Sequence, residues 1–248
     1  MILALSGKGG TGKTTMAAFL VRYLAEKKKS ILAIDADPDE NFAQALGVGY
    51  KKTIGDVREL FTADTEKIYT TMDKDRWFDA KVFETMAEGD GFDLVVMGRP
   101  EKEGCYCAVN HMIRKVIDSL NKKYDYVIVD CEPGLEHLSR RTTDDVDIMI
   151  VVTDQSERGV ETADRIRRLA VDLGVKFERF HIVANRMRDE FFGLVNENAK
   201  RYNLGIEGRI DEDPAVSQID LKGGSVYRES ERLKSYKQFT DFLKKIGL

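Results

Sequence analysis

Gly7-Lys8-Gly9-Gly10-Thr11-Gly12-Lys13-Thr14 combines residue types and spacing that suit one chemistry, the binding of phosphate. Glycines let successive backbone N–H groups point inward and form a concave nest for phosphate oxygens. The helical pattern that follows adds the positive end of its dipole. An apolar run from Ile2 to Leu5 precedes the loop, so G-x4-G-K-T lies between a strand and a helix, the context in which this motif works. Lys13 is expected to reach the β- and γ-phosphates, and the Thr14 hydroxyl to ligate Mg²⁺. The nucleotide-holding set runs from Gly7 to Thr15, and its ligand is expected to be a nucleoside triphosphate. Lys8 is a second lysine in a place where most such loops have none.

Two acidic clusters follow apolar runs. Ile31–Ile34 leads into Asp35-Ala36-Asp37-Pro38-Asp39, and Tyr126–Val129 leads into Asp130-Cys131-Glu132-Pro133-Gly134. In parallel α/β sheets, ligands sit beyond the carboxyl ends of the strands. A carboxylate there can hold a water of the Mg²⁺ shell or orient an attacking water. Either cluster alone also reads as a polar strand end or a helix cap; the pair together with the loop points to a triphosphatase site.

Cys105-Tyr106-Cys107 is the remaining feature with chemistry in it, two of only three cysteines. They stand in a glycine-containing loop before a helical pattern of Val109, Met112, Ile113, Val116, Ile117 and Leu120. A helix N-terminus favours the thiolate, which is the metal-binding form. One pair cannot complete a tetrahedral soft-metal site, whereas four sulfurs can. Buried small residues or a disulfide between two copies of the chain fit the same spacing. A bridge within Cys-x-Cys is near the limit of disulfide geometry. Cys131 reads as a small side chain packed beneath the second acidic cluster. His111, four residues after Cys107, reads as a surface or cap residue.

The elements that must position these groups alternate along the chain. Strand runs at Ile2–Leu5, Ile31–Ile34, Leu94–Met97, Tyr126–Val129, Ile148–Val152 and His181–Ala184, with a weaker one at Ile206–Ile210, are separated by helical spacings. Such alternation predicts an α/β fold, a mostly parallel sheet flanked by helices on both faces. At 248 residues the chain is expected to form a single P-loop ATPase domain, with residues 50–92 as a helical insertion over one sheet edge. The balance of 39 basic and 43 acidic residues gives a net charge of −4 and no broad nucleic-acid surface. No apolar run approaches the roughly 18 residues of a membrane span. With no room for a signal peptide before the loop and few cysteines, the expected location is the cytoplasm.

Lys8 ahead of Lys13, Asp35-Ala36-Asp37-Pro38, and Asp130 with Gly134 resemble the motifs of the deviant-Walker, MinD-type ATPases. That family includes ParA partitioning proteins, MinD, nitrogenase iron protein and metallocluster assembly factors. The resemblance covers most of the chain and is weakest over residues 50–92. It implies an ATP-dependent homodimer with two nucleotides buried between facing subunits. Lys8 would cross to the partner's phosphates and act as an arginine finger does. Asp37 would position the hydrolytic water, Asp130 would sit near Mg²⁺ through water, and the Gly134 N–H would sense the γ-phosphate. Asn185 matches the family's adenine-reading asparagine. Asp211 and Asp213, in Ile210-Asp211-Glu212-Asp213-Pro214, resemble its second adenine-side loop.

Gly104-Cys105-Tyr106-Cys107, together with Gly134-Leu135-Glu136-His137-Leu138-Ser139-Arg140, resembles the CooC-type accessory ATPases that mature nickel carbon monoxide dehydrogenase. This implies nickel (or zinc) held by Cys105 and Cys107 of both subunits, since a two-fold axis sets the same patch against itself. It also implies delivery to the dehydrogenase apoprotein. An iron–sulfur reductase of the nitrogenase-iron-protein kind is a poorer match, because its cluster cysteines lie far apart in sequence. A positioning or partitioning ATPase would need a DNA-binding face or a membrane-binding tail. The tail does carry Leu233, Tyr236, Phe239, Phe242, Leu243 and Ile246 at helical spacing, with Lys234, Lys237, Lys244 and Lys245 nearby. Glu229, Glu231 and Asp241 dilute that charge, and a helix packed on the sheet explains the stripe without lipid.

Overall fold

Alternating apolar residues on each strand are divided between two faces of one sheet, and that division builds the molecule. The structure, a computed structural model, describes residues 1–63, 74–98, 106–132, 145–172 and 176–248. Its strands are β1 (Ile2–Gly7), β2 (Ile31–Ala36), β3 (Ala87–Glu88), β4 (Asp93–Val96), β5 (Tyr126–Cys131), β6 (Asp145–Thr153), β7 (Lys176–Met187) and β8 (Gly208–Asp211). They form one sheet in the order β3-β4-β2-β5-β1-β6-β7-β8. Among the described residues, only the β3–β4 pair is antiparallel. The two-residue β3 has no alternation to announce it, and sequence patterning passes over it. β8 lies two residues later at its start than the Ile206–Ile210 run suggests.

Leu3, Leu5, Ile31, Ala33, Ile128, Ile148 and Ile150 face one layer of helices: α1 (Lys13–Glu26), α2 (Asn41–Leu46), α8 (Pro214–Leu221) and α9 (Lys234–Lys245). Ala4, Leu32, Ile34, Val127, Val129, Met149 and Val151 face the other. That second layer holds α3 (Ile54–Ala63), α4 (Lys74–Thr85), α5 (Tyr106–Leu120), α6 (Glu157–Asp172) and α7 (Asp189–Arg201). Each fully buried Leu or Ile contributes about 1.5–3 kcal/mol, so the two layers account for most of the driving force.

The helices of the 50–92 region are part of this second layer. Ile54, Val57, Phe78 and Val82 are buried in it, and Trp77 packs partly buried against it. The tail stripe is likewise internal: Tyr236, Phe239, Phe242 and Leu243 are buried against α1 and the sheet. Phe19 meets the rings of Tyr236 and Phe239 at 5.3 and 6.4 Å. The apolar face that a membrane-binding tail would need is spent on the core. Among the described residues, no helix is long and apolar enough to cross a membrane.

Candidate functional site

Every parallel strand that carries a candidate residue ends on the same sheet edge. β1 delivers the phosphate loop, β2 delivers Asp35 to Asp39, β5 delivers Asp130, β7 delivers Asn185, and β8 delivers Asp211 and Asp213. Gly7 must be glycine twice over. Its φ is +145°, and an added Cβ would stand 2.2 Å from the Val152 carbonyl oxygen on β6. Gly10 and Gly12 also take positive φ, +80° and +90°.

The loop closes on the carbonyl of Lys8, which accepts from the Thr11 hydroxyl at 2.9 Å and from Lys13 Nζ at 3.2 Å. Lys13 is buried, which lowers its pKa, while the carboxylates of Asp130 and Asp37 act in the opposite direction. Lys8 turns to β6: its Nζ donates to Asp154 at 2.9 Å and to Ser156 Oγ at 3.4 Å. Burial pushes the Asp154 carboxyl up, but hydrogen bonds from Ser156 and Lys8 outweigh it and hold the carboxyl below its usual range. Asp154 and Ser156 were missed from sequence. They follow the Ile148–Val152 run in the same way that Asp35 follows Ile31–Ile34, so strand-end reasoning applied once more would have found them.

Asp35 and Asp130 are register partners on neighbouring strands, both buried. Asp35 accepts from the backbone N–H of Asp37 at 3.1 Å and of Phe42 at 2.9 Å, which turns the first acidic segment back toward the loop. Asp37 in turn accepts from the Asp39 N–H at 2.9 Å. Neither carboxylate oxygen of Asp130 has a complete hydrogen bond among the described residues. Burial and the neighbouring Asp130 push the Asp35 carboxyl up to about 8. Burial pushes Asp130 to about 7, partly offset by the Thr14 hydroxyl and by Lys13. The buried Asp130 carboxylate beside the Thr14 hydroxyl fits the outer shell of a divalent cation, so the donor set suits Mg²⁺.

Raised carboxyl pKa values mean that the folded chain keeps protons that the unfolded chain releases. Stability therefore falls as pH rises from about 4 through 7–8. Nucleotide-free protein is expected to melt lower at pH 8 than at pH 5.5, by on the order of 5–10 °C, with the difference shrinking in Asp35→Asn. Thermal melts at the two pH values check this; equal melting of the wild type would mean that neither carboxyl is shifted.

A cleft of about 670 Å³ lies over the loop, lined by Gly9, Gly10, Gly12, Lys13, Thr14, Thr15, Asp37, Asp39 and Gln44. A smaller cavity of about 140 Å³ adjoins it and is lined by Thr15, Asn185, Arg186, Asp211, Glu212 and Asp213. Asn185, Asp211 and Asp213 are thus brought together, but their side chains are differently employed. Asn185 Nδ2 donates to the Thr11 carbonyl at 2.8 Å, which leaves its amide oxygen as the remaining acceptor. The Asp211 carboxylate is taken up by Arg209, Lys234 and Gln238 at 2.7–2.8 Å. The Asp213 carboxylate caps α8 at the Ala215 N–H, 3.1 Å away, and binds Ser235. Those two aspartates shape the pocket wall through their side chains.

Cys105 and Gly134 lie outside the described residues. Cys107 falls in α5, and only the helix can be described there, not its side chain. Among the described residues no cluster of three or more metal-ligating side chains occurs. Cys131 is buried at the end of β5, and burial pushes its thiol well above the ordinary range, in keeping with a packing role.

A parallel sheet with this loop after β1 and acidic residues at the ends of β2 and β5 defines a P-loop nucleoside triphosphatase fold. The family model described as the AAA domain matches residues 1–172, and the chain belongs to that family, the MinD/ParA-like P-loop ATPases. It is 44% identical over 248 residues to an uncharacterized ATP-binding protein of Methanocaldococcus jannaschii, covering 99% of this chain and 98% of that one. It is 31% identical over 262 residues to the carbon monoxide dehydrogenase accessory protein CooC of Rhodospirillum rubrum, covering 100% and 98% of the two chains. Among solved structures, septum site-determining protein MinD complexed with Mg-ADP, from Pyrococcus horikoshii OT3, matches with a TM-score of 0.72 at 20% identity, covering 99% and 95%. At that identity the likeness is one of fold.

Proposed function

We propose that this protein is an ATP-dependent homodimerising ATPase that carries nickel or zinc as cargo on Cys105 and Cys107 and assists nickel insertion into carbon monoxide dehydrogenase. The observation that carries the reading is full-length similarity to the Rhodospirillum rubrum accessory protein, read together with Cys105-Tyr106-Cys107. ATP and Mg²⁺ are its nucleotide and cofactor, and the Mg-ADP complex of the MinD relative supports that choice. The Asn185 amide oxygen is suited to accept from the amino group of adenine. A positioning or partitioning role is the weaker reading, since the tail stripe is buried.

In this reading the loop N–H groups and Lys13 bind the β- and γ-phosphates. Asp37, held by the turn at Asp35, orients the attacking water. Thr14 and, through water, Asp130 would hold Mg²⁺, which would supply neutralisation of the negative charge on the phosphates. Lys8 leaves Asp154 and neutralises charge on the phosphates of the second subunit. Gly134 reports on the γ-phosphate. Joining two subunits brings four thiolates together, and hydrolysis separates them and frees the cargo.

Metal analysis of purified protein tests the cargo. About one Ni²⁺ or Zn²⁺ per dimer is expected, four thiolates making one site, and it should be lost in Cys105→Ser and in Cys107→Ser. Size-exclusion measurements with metal and with ATP analogue should show dimers. A monomer under every condition, or metal retained by the double serine variant, would overturn the reading. A brown, visibly absorbing protein would favour an iron–sulfur cluster instead.

A further inference from the structure

Arg186 stands in a backbone conformation that arginine seldom adopts. Its φ is +56°, in the left-handed region. The reason is local: the β7–β8 register shifts between Ala184 and Met187, so the strand bulges at Asn185 and Arg186. In a regular strand, consecutive side chains point to opposite faces. At the bulge both reach the phosphate loop. Asn185 donates to the Thr11 carbonyl, and Arg186 Nη1 donates to the Gly10 carbonyl at 2.9 Å. An unfavourable conformation maintained beside a ligand cleft points to a use for the side chain.

The position of Arg186 suggests what that use is. It lines both the cleft over the phosphate loop and the smaller cavity bounded by Asn185, Asp211 and Asp213. The side chain is exposed and has no carboxylate partner among the described residues. A guanidinium has five donors and a flat face; one donor is committed to Gly10, and the plane remains available to an aromatic ring.

We infer that Arg186 is a nucleotide-contacting residue that lays its guanidinium against the base while holding the Gly10 carbonyl, so that base occupancy and phosphate-loop geometry are coupled. This rests on the nucleotide reading of the cleft given above. It assigns discrimination between a nucleotide and a bare polyphosphate to a residue outside the glycine-rich motif. A cation on an aromatic face shielded from water contributes enough to matter for affinity.

Calorimetric titration of ADP and of Mg-tripolyphosphate into wild type, Arg186→Ala and Arg186→Lys tests the assignment. Arg186→Ala is expected to weaken ADP about tenfold and to leave tripolyphosphate within about twofold. Arg186→Lys, which keeps charge and a donor but loses the plane, should recover less than half of the loss. An unchanged ADP affinity in the alanine variant, or an equal loss for both ligands, would overturn the inference; the second result would reduce Arg186 to a brace for the loop. Wild-type protein that binds tripolyphosphate but not ADP sinks this inference along with the nucleotide reading. Wild-type binding of ADP with no change on substitution sinks this inference alone.

Discussion

Lys8→Ala is expected to lower the rate of ATP hydrolysis by about a thousandfold while leaving nucleotide affinity within a few fold of wild type. The physical reason lies in where the two lysines stand. Lys13 is buried beside Asp130 and Asp37, where the proposed reading has it serve the nucleotide of its own subunit. Lys8 points away from that cleft, toward Asp154 just beyond the end of β6. A cation so placed adds little to binding by one chain, yet by leaving Asp154 it could meet charge that develops across a subunit contact, as the proposed reading requires. Phosphate release and equilibrium ATP binding, measured on the same preparation, separate the two contributions. Near-normal hydrolysis in the variant would remove the cross-subunit role, and lost binding would make Lys8 an ordinary ligand of its own cleft.

Gly12→Ala should act on binding. Gly12 caps the N-terminus of α1 with φ of +90°, and an added Cβ would stand 2.5 Å from Asn185 Nδ2. The methyl group therefore imposes backbone strain of about 1–3 kcal/mol. It also displaces the carboxamide that holds the Thr11 carbonyl, a bond contributing about 1 kcal/mol. Together these predict a loss of roughly a hundredfold in ATP affinity, with the fold retained. Fluorescent-nucleotide titration measures it, and a change below about threefold would contradict the geometry. In an Asn185→Ala background the same substitution should cost less, because the steric part is gone and only strain remains.

The six stronger strand runs read from the sequence each fall within or beside an observed strand because central parallel strands are buried on both faces. Their signal is a block of consecutive apolar residues, as in Leu3-Ala4-Leu5 or Val127-Ile128-Val129. The phosphate loop was legible because its function depends on backbone conformations that only glycine supplies cheaply. Asp35 was visible as part of a cluster, but its burial against Asp130 depends on the β2–β5 register, which no local pattern encodes. Arg186 was invisible for a related reason: its conformation arises from a slip between β7 and β8, and nothing in Ala184-Asn185-Arg186-Met187 announces that slip. Asp211 and Asp213 were found as pocket residues, yet their carboxylates are claimed by Lys234 and Ser235, more than twenty positions along the chain.

The pairing of Lys8 with Asp154 has a kinetic and colloidal side. In the proposed dimer, one lysine would choose between a carboxylate of its own chain and a phosphate group offered by another molecule. The first choice is independent of how much protein is present; the second becomes more favourable with every rise in concentration. Both charges are partly exposed, 33% and 19%, so dissolved ions loosen the pair as well. If Lys8 serves a second subunit as proposed, the contact would set a crowding threshold, below which each molecule keeps its lysine at home and hydrolyses little.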